Sequence, residues 1–481
     1  MAFHDLRSYL EALDRHGQLV HITQQVKPEP DISAYLHGAC KVTRKGGPAL
    51  SFENILGYKG KRVVGNTCNS WINHAIMLGM DPEATCYEQY KYLNSKWDEA
   101  NNGELVWVDD PPCRDVVIEK DINLYELLPL FRVNRHDGGF YFSKAAIISQ
   151  DFDEPDNMGK ENAGMYRVQI QEPDMLGMQV LIDHDFSLHL KRAEEENQPL
   201  PVAICLGNNP ILSAMAATPL KYHESEYRMT AGFMGEPLRL TKCIGSNINV
   251  PADSEVIIEG EVIPRVRFPE GPFGEFVGSY SGVRRNIRMK VKRVTHRKDP
   301  IFENLYVGMP PTEQDVMAGI TTSVVTGRQI WERMPDYIKG VNALQHHGMM
   351  LIIAADSRYG NYGKAVAYNA ASCAGGLAHG KIIIVIDGDK DPFDLETVMW
   401  ALTFRTRPGK DVIVVPHEIG MALDPCSDPP GIGGRLMIDA TTPVFPDYMR
   451  EITMIDSPAA VDEKAKDILK RYNQGRKGAS L

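Results

Sequence analysis

Three short apolar runs, at residues 349–355, 381–386 and 411–415, alternate with helix-like stretches at 364–372 and 394–405. Strands that are apolar along their whole length are covered on both faces, and when helices separate them they form a parallel sheet through right-handed crossovers. This rhythm predicts an α/β domain with a parallel sheet over residues 341–456. Leu395, Val398, Met399, Leu402 and Phe404 give its second helix an apolar side.

The preceding chain keeps a different rhythm. Leu6, Tyr9, Leu10 and Leu13 recur at helical spacing, Gly17 stops the helix and residues 19–23 read as a strand, so residues 1–110 form a mixed α/β portion. Pro111 and Pro112 break helices and interior strands alike and mark a boundary. Beyond them lie candidate strands at 144–149, 166–171, 178–182, 202–206, 255–263 and 289–296, with one helix at 188–197. The pattern predicts a sheet or split β-barrel within 111–310 and a helical connector over 311–340, its helix near 323–338. The tail, 457–481, has a helical pattern at Ile468, Leu469 and Tyr472. It fits an arm docked on a neighbouring subunit and a surface helix equally.

Composition narrows the function. Among 481 residues, 52 Lys and Arg stand against 63 Asp and Glu, a net charge of −11 that repels phosphate backbones and anionic lipid, so neither nucleic acid nor a membrane is an expected partner. Eight scattered cysteines without a CxxC pair fit a reducing cytosol, and the N-terminal stretch MAFHDLRSYLEALDRHG lacks the apolar core of a secretory signal, so the expected location is cytoplasmic. Several chemistries fail on inspection. His223-Glu224 and His417-Glu418 lack the second histidine of a zincin helix, and Tyr280 stands where a nucleophile elbow needs serine. The glycine-rich stretch 375–381 is followed by Ile382 rather than a hydroxyl and reads as a turn, and no GxGxxG follows a strand.

Residues 269–276, PEGPFGEF, are of another kind. Glu270 and Glu275 are bracketed by glycines and prolines, which place them on a rigid irregular loop. Carboxylates fixed close together invite a raised pKa in one of them, as acid/base catalysis near neutral pH requires; a solvated acidic turn has the same appearance. Arg167 opens a half-buried run, where a guanidinium needs a carboxylate or phosphate, and the two glutamates are natural partners. Asn162, His184 and Glu226 would together suit a hard divalent ion, although each alone reads as an ordinary polar residue.

The stretches NAGMYR at 162–167, SEY at 225–227, EGPFGEF at 270–276, YGNYGKA at 359–365 and GGRLMIDAT at 433–441 resemble those of the UbiD family, the (de)carboxylases that use prenylated FMN. DLRSYLEAL, LPLFRVNRHDGGFY at 128–141 and VGMPPTE at 307–313 point within it to hydroxyarylic acid decarboxylases of the 4-hydroxybenzoate and vanillate type. The resemblance implies an N-terminal α/β portion, a central split barrel that binds flavin and a C-terminal α/β domain for assembly. It also implies that Asn162, His184 and Glu226 hold Mn2+ or Mg2+ against the cofactor phosphate. Ala163, Gly164, Met165, Tyr166, Arg167 and Asp183 would line the flavin, Lys364 would meet its phosphate, and a K+ ion would sit near 216–219. Arg167 would orient the substrate carboxylate, Glu270 would hold Arg167, and Glu275 would protonate the ring carbon. His189 competes with His184 for the metal role; the latter is preferred because it is expected to follow its strand directly. Implied partners are a phenolic acid, further copies of the chain as dimer or hexamer, a flavin prenyltransferase as cofactor supplier and small accessory subunits. The loop at 428–434 reads as a mobile lid or as a plain turn. A heteroaromatic or acrylic acid substrate, or a non-catalytic flavin-binding subunit, are the alternatives.

Overall fold

The computed structural model describes residues 3–43, 46–180, 184–344, 348–373, 380–449 and 452–455, with Val461, Lys464, Ala465, Ile468 and Leu469 beyond. Asp183, residues 375–379 of the glycine-rich stretch, and Tyr472 with most of the tail lie outside the described residues. Helix Leu6–Arg15 begins where the Asp5 side chain accepts from the Ser8 amide and Ser8 caps Asp5 in return. Ten residues alone make a marginal helix, so its burial of Leu6, Tyr9, Leu10 and Leu13 is what holds it. It covers a four-stranded sheet of Leu19–Ile22, Ala49–Phe52, Arg62–Gly65 and Ile301–Glu303. The last strand comes from the far end of the central region, so the N-terminal and central parts share one core.

The central region is a nine-stranded antiparallel sheet. Along its path the strands are Phe140–Phe142, Val168–Glu172, Met175–Met178, Arg284–His296, Val256–Glu270, Leu200–Leu206, Ala145–Ser149 and Asn162–Met165, with Val116–Ile118 beside Arg284–His296. Asn162–Met165 terminates the path, yet the next strand in the chain, Val168–Glu172, lies near its opposite end. Only Tyr166 and Arg167 intervene, and at 3.8 Å per residue they span at most about 11 Å. The sheet therefore curls until its ends nearly meet, a split barrel, and Arg167 stands in the gap.

Four expectations need correction here. The strand expected at 178–182 is Met175–Met178, so His184 does not follow it directly; it precedes helix Asp185–Glu195 as its N-cap. Glu270 is not on the irregular loop: it is the last residue of strand Val256–Glu270, paired with Arg284, and only Glu275 lies on the loop. The strand expected at 166–171 is Val168–Glu172, because Tyr166 and Arg167 cross the barrel gap from strand Asn162–Met165. The connecting helix is Glu313–Arg333 rather than 323–338. A capping box between Thr312 and Asp315 starts it ten residues earlier, and Pro335 keeps Met334 out of helical backbone.

The C-terminal domain is a five-stranded sheet in the order Ile338–Asn342, Met350–Ala355, Ile382–Asp387, Ile432–Ala440, Val412–Ile419, with a separate apolar core on each face. It is mixed, not parallel: the inner pairs are parallel and both edge strands are antiparallel. Val412–Ile419 and Ile432–Ala440 are consecutive without a helix between them, so no crossover is available and they can only pair antiparallel. Of the apolar side expected on helix Leu395–Arg405, Val398 is buried but Leu395, Met399 and Phe404 are exposed.

Candidate active site

The hairpin from Glu270 to Arg284 delivers both glutamates to the gap in the barrel. Arg167 donates from Nε to Glu270 Oε1 at 3.0 Å and from Nη2 to Oε2 at 2.8 Å, a two-pronged pair. Its Nη1 donates to Glu275 Oε1 and, at 3.2 Å, to Ser281 Oγ. Glu270 is fully buried and also accepts from Tyr141 OH at 3.0 Å and Asn286 Nδ2 at 2.8 Å. The Phe273 ring lies 5.2 Å from the guanidinium carbon and packs on Tyr141 at 4.5 Å. Burial works against the Arg167 charge, but Glu270 and then Glu275 more than offset it, so the guanidinium stays charged.

Glu275 occupies a different environment from Glu270. Burial pushes its carboxyl above the ordinary value; Arg167 and Arg284 pull it down, Glu270 and Asp137 push it up, and the balance remains raised. One carboxylate thus anchors the arginine through two hydrogen bonds and is itself held by two more from Tyr141 and Asn286, while the other holds its proton more tightly than a carboxylate in water. Burial and the Glu270 charge raise the Tyr141 phenol as well, keeping it a donor. Tyr141, Ser281, Phe273 and Asn286 did not emerge from the sequence as site residues. The signal for Tyr141 lay in LPLFRVNRHDGGFY, to which no role had been given.

Asn162, His184 and Glu226 gather on the other side of Tyr166. The Ala163 amide donates to Glu226 Oε2 at 3.4 Å, Asn162 Nδ2 donates to Tyr166 OH at 3.4 Å, and the Tyr166 and His184 rings are 5.2 Å apart. Glu226 opens helix Glu226–Met234 and is buried beside Asp185 and Glu161; burial, aided by those charges, pushes its carboxyl up to about 8. A buried carboxylate that faces acids, with no cationic side chain against it among the described residues, is the setting a divalent ion would relieve, and amide oxygen, imidazole and carboxylate are suitable donors. The residues fit such an ion. His189 is engaged instead with Ser149, its Nδ1 within 2.9 Å of Ser149 Oγ. Residues Asn162–Met165 end the sheet, leaving one strand edge with no strand partner among the described residues, where main-chain groups would be available to a flavin.

Lys364 departs from expectation. It lies on helix Tyr362–Ala371 of the C-terminal domain, donates to Asn361 Oδ1 at 2.7 Å and stands 3.5 Å from Asp411. Its partners are local because the helix start packs on Asp439, whose carboxylate would lie 2.2 Å from a Cβ at Gly363. The structure does not bring Lys364 to the Asn162 group.

The chain matches the Rift-related domain of 3-octaprenyl-4-hydroxybenzoate carboxy-lyase over residues 105–310, the N-terminal domain of that family over 10–93 and its C-terminal domain over 315–440. It is 46% identical to the phenolic acid decarboxylase of Sedimentibacter hydroxybenzoicus, over 98% of this chain and 99% of that protein. The chain belongs to the UbiD family. A second relative, the Bacillus subtilis phenolic acid decarboxylase, is 43% identical over 98% of this chain and all of its own length. The solved closed form of S. hydroxybenzoicus vanillic acid decarboxylase superposes with a TM-score of 0.90 over 98% of this chain and 100% of that one, at 46% identity. The UbiD-class enzyme HmfF of Pelotomaculum thermopropionicum, solved with FMN, gives 0.80 at 26% identity, over 94% of this chain and 97% of that one. Among the described residues no helix is long and apolar enough to cross a membrane.

Proposed function

We propose that this UbiD-family carboxy-lyase catalyses the reversible, non-oxidative decarboxylation of a hydroxylated benzoic acid, of the 4-hydroxybenzoate, vanillate or 3,4-dihydroxybenzoate type, to the phenol and CO2. The observation that carries the reading is the single cluster of Arg167, Glu270 and Glu275 at the barrel gap, with one glutamate anchoring and the other holding a proton. Support for the substrate class comes from the phenolic acid decarboxylases at 43–46% identity. Loss of CO2 leaves an electron pair on the ring carbon that no side chain accepts, and prenylated FMN supplies that electron sink when bound.

The chain's own residues do the rest. Asn162, His184 and Glu226 would hold Mn2+ or Mg2+, whose charge would offset that of the cofactor phosphate, and residues 163–167 would line the flavin. A K+ ion near 216–219 belongs to the same proposal. Arg167, fixed by Glu270, presents a charged donor to the substrate carboxylate and keeps it in place. Glu275 delivers its proton to the ring carbon that CO2 has left, a general-acid role worth roughly 10²–10⁴-fold in rate. The chain works in the cytoplasm as a homo-oligomer assembled through residues 341–456, draws its flavin from a prenyltransferase and accommodates small accessory subunits.

The test is direct. Protein co-expressed with a flavin prenyltransferase is expected to show a modified-flavin absorption band and to convert 4-hydroxybenzoate, vanillate or 3,4-dihydroxybenzoate into phenol, guaiacol or catechol with CO2. A band with turnover confined to heteroaromatic or acrylic acids would overturn the substrate class. Absence of band and turnover alike would favour a non-catalytic subunit.

A further inference from the structure

Within LPLFRVNRHDGGFY only Tyr141 meets the site described above, yet residues 134–138 of the same segment hold the loop that carries Glu275. That loop is held from within by Glu275 N donating to Ser279 O at 3.0 Å, Gly278 N to Glu275 O at 3.0 Å and Ser281 N to Phe273 O at 2.8 Å, with Ser281 Oγ 3.3 Å from both Phe273 N and Phe273 O. The outside support comes from residues 134–138. Asp137 accepts the Gly274 amide on Oδ1 at 2.8 Å and the Asn134 amide on Oδ2 at 2.7 Å. Gly138 N donates to Pro272 O at 2.7 Å, and Asn134 Nδ2 donates to Val307 O at 2.7 Å. The two segments touch so closely that a Cβ at Gly274 would lie 2.4 Å from Asn134 Nδ2, and one at Gly138 would lie 2.2 Å from Gly271 O.

Asp137 is the hub of this clamp. Its side chain is buried, each of its oxygens takes a main-chain N–H, and the amide it takes from the loop is the one immediately before Glu275. We propose that Asp137 is a positioning residue for the acid/base glutamate: by pinning the Gly274 amide it fixes where Glu275 stands opposite Arg167. This inference rests on the decarboxylase reading of the same site. The charges around it give it a signature. Glu275 is faced by Arg167, Glu270, Arg284 and Asp137; Asp137 is faced by Arg167 and Arg132. A negative Asp137 makes the Glu275 proton harder to lose, so neutralising it makes Glu275 a stronger acid.

The experiment compares Asp137→Asn and Asp137→Ala with the wild type. In flavin-free protein, hydrogen exchange is followed at peptides covering 270–278 and, as reference, strand Leu200–Leu206. Faster exchange in 270–278 with the reference unchanged is expected in each variant, more so for Asp137→Ala. In flavin-loaded protein, kcat is expected to fall more than about tenfold with KM changed less than about threefold, and the basic limb of the Asp137→Asn kcat–pH profile to move to lower pH. Wild-type exchange in 270–278 would overturn the proposal, as would faster exchange in both regions, which makes Asp137 a general fold residue. A lowered kcat with an unmoved basic limb would overturn the electrostatic half. The exchange arm needs no turnover, so failure of the decarboxylase reading and failure of this one are separable.

Discussion

Removing Glu270 should reveal how the arginine is held. The Glu270 side chain is fully buried and that of Arg167 is 8% exposed, and Glu270 takes two of the guanidinium's hydrogen bonds and two more from Tyr141 and Asn286. Breaking a buried ion pair from one side costs about 3–5 kcal/mol, because the remaining charge is left without its partner. Glu275 still faces Arg167, so Glu270→Ala belongs at the lower end, about 3 kcal/mol. For domains of this size that corresponds to a fall in Tm of roughly 6–12 °C. Thermal denaturation of flavin-free protein measures it without any dependence on turnover. The reasoning has a second consequence: with Arg167→Met added, the orphaned charge disappears, and the double variant should be more stable than the Glu270→Ala single. A Tm within about 2 °C of wild type for Glu270→Ala, or a double variant less stable than the single, would refute the idea that Glu270 exists to hold a buried charge.

Three further outcomes are expected. Because Glu226 in the metal-free site is pushed up to about 8, well above the ordinary 4.5, it is mostly protonated at neutral pH. Mn2+ binding should then release close to one proton at about pH 7 and few at about pH 9, as read by calorimetry in buffers of different ionisation enthalpy; Glu226→Gln should abolish the release. The raised Glu275 carboxyl is in its donating form below its pKa and loses it as pH rises, so kcat should hold to higher pH than an ordinary carboxyl allows and then fall on the basic side. Exposed Leu395 and Met399, one turn apart, share a face of their helix, and replacing both by serine should shift the chain toward monomer in light scattering without lowering Tm.

The sequence disclosed chemistry more readily than register. A guanidinium in a half-buried run that must find carboxylates, and a proline-glycine bracket that announces a rigid loop, suggested Arg167, Glu270 and Glu275, but the same bracket fits a solvated acidic turn and their roles came from the family resemblance. That Glu270 belongs to a strand was hidden by the same prolines, since Pro269 sits in a strand end where no inner ladder bond is needed. Reading 411–415 as an inner parallel strand followed from its apolar run; its half-exposed side chains instead belong to an edge, a distinction set by what lies next to it and not by its own residues. The local partners of Lys364 were not legible, because a basic residue near glycines looks the same whether it meets a phosphate or Asp411. Asp137 was invisible for a further reason: its partners are main-chain amides, which carry no side-chain signature.

The central claim is that Glu275, opposite an arginine anchored by Glu270, supplies the proton that replaces CO2. The most direct measurement is kcat of flavin-loaded Glu275→Gln on whichever of 4-hydroxybenzoate or vanillate the wild type turns over, with the modified-flavin band confirming equal loading. The account predicts a loss of roughly 10²–10⁴-fold. A loss smaller than about tenfold at equal loading would contradict it.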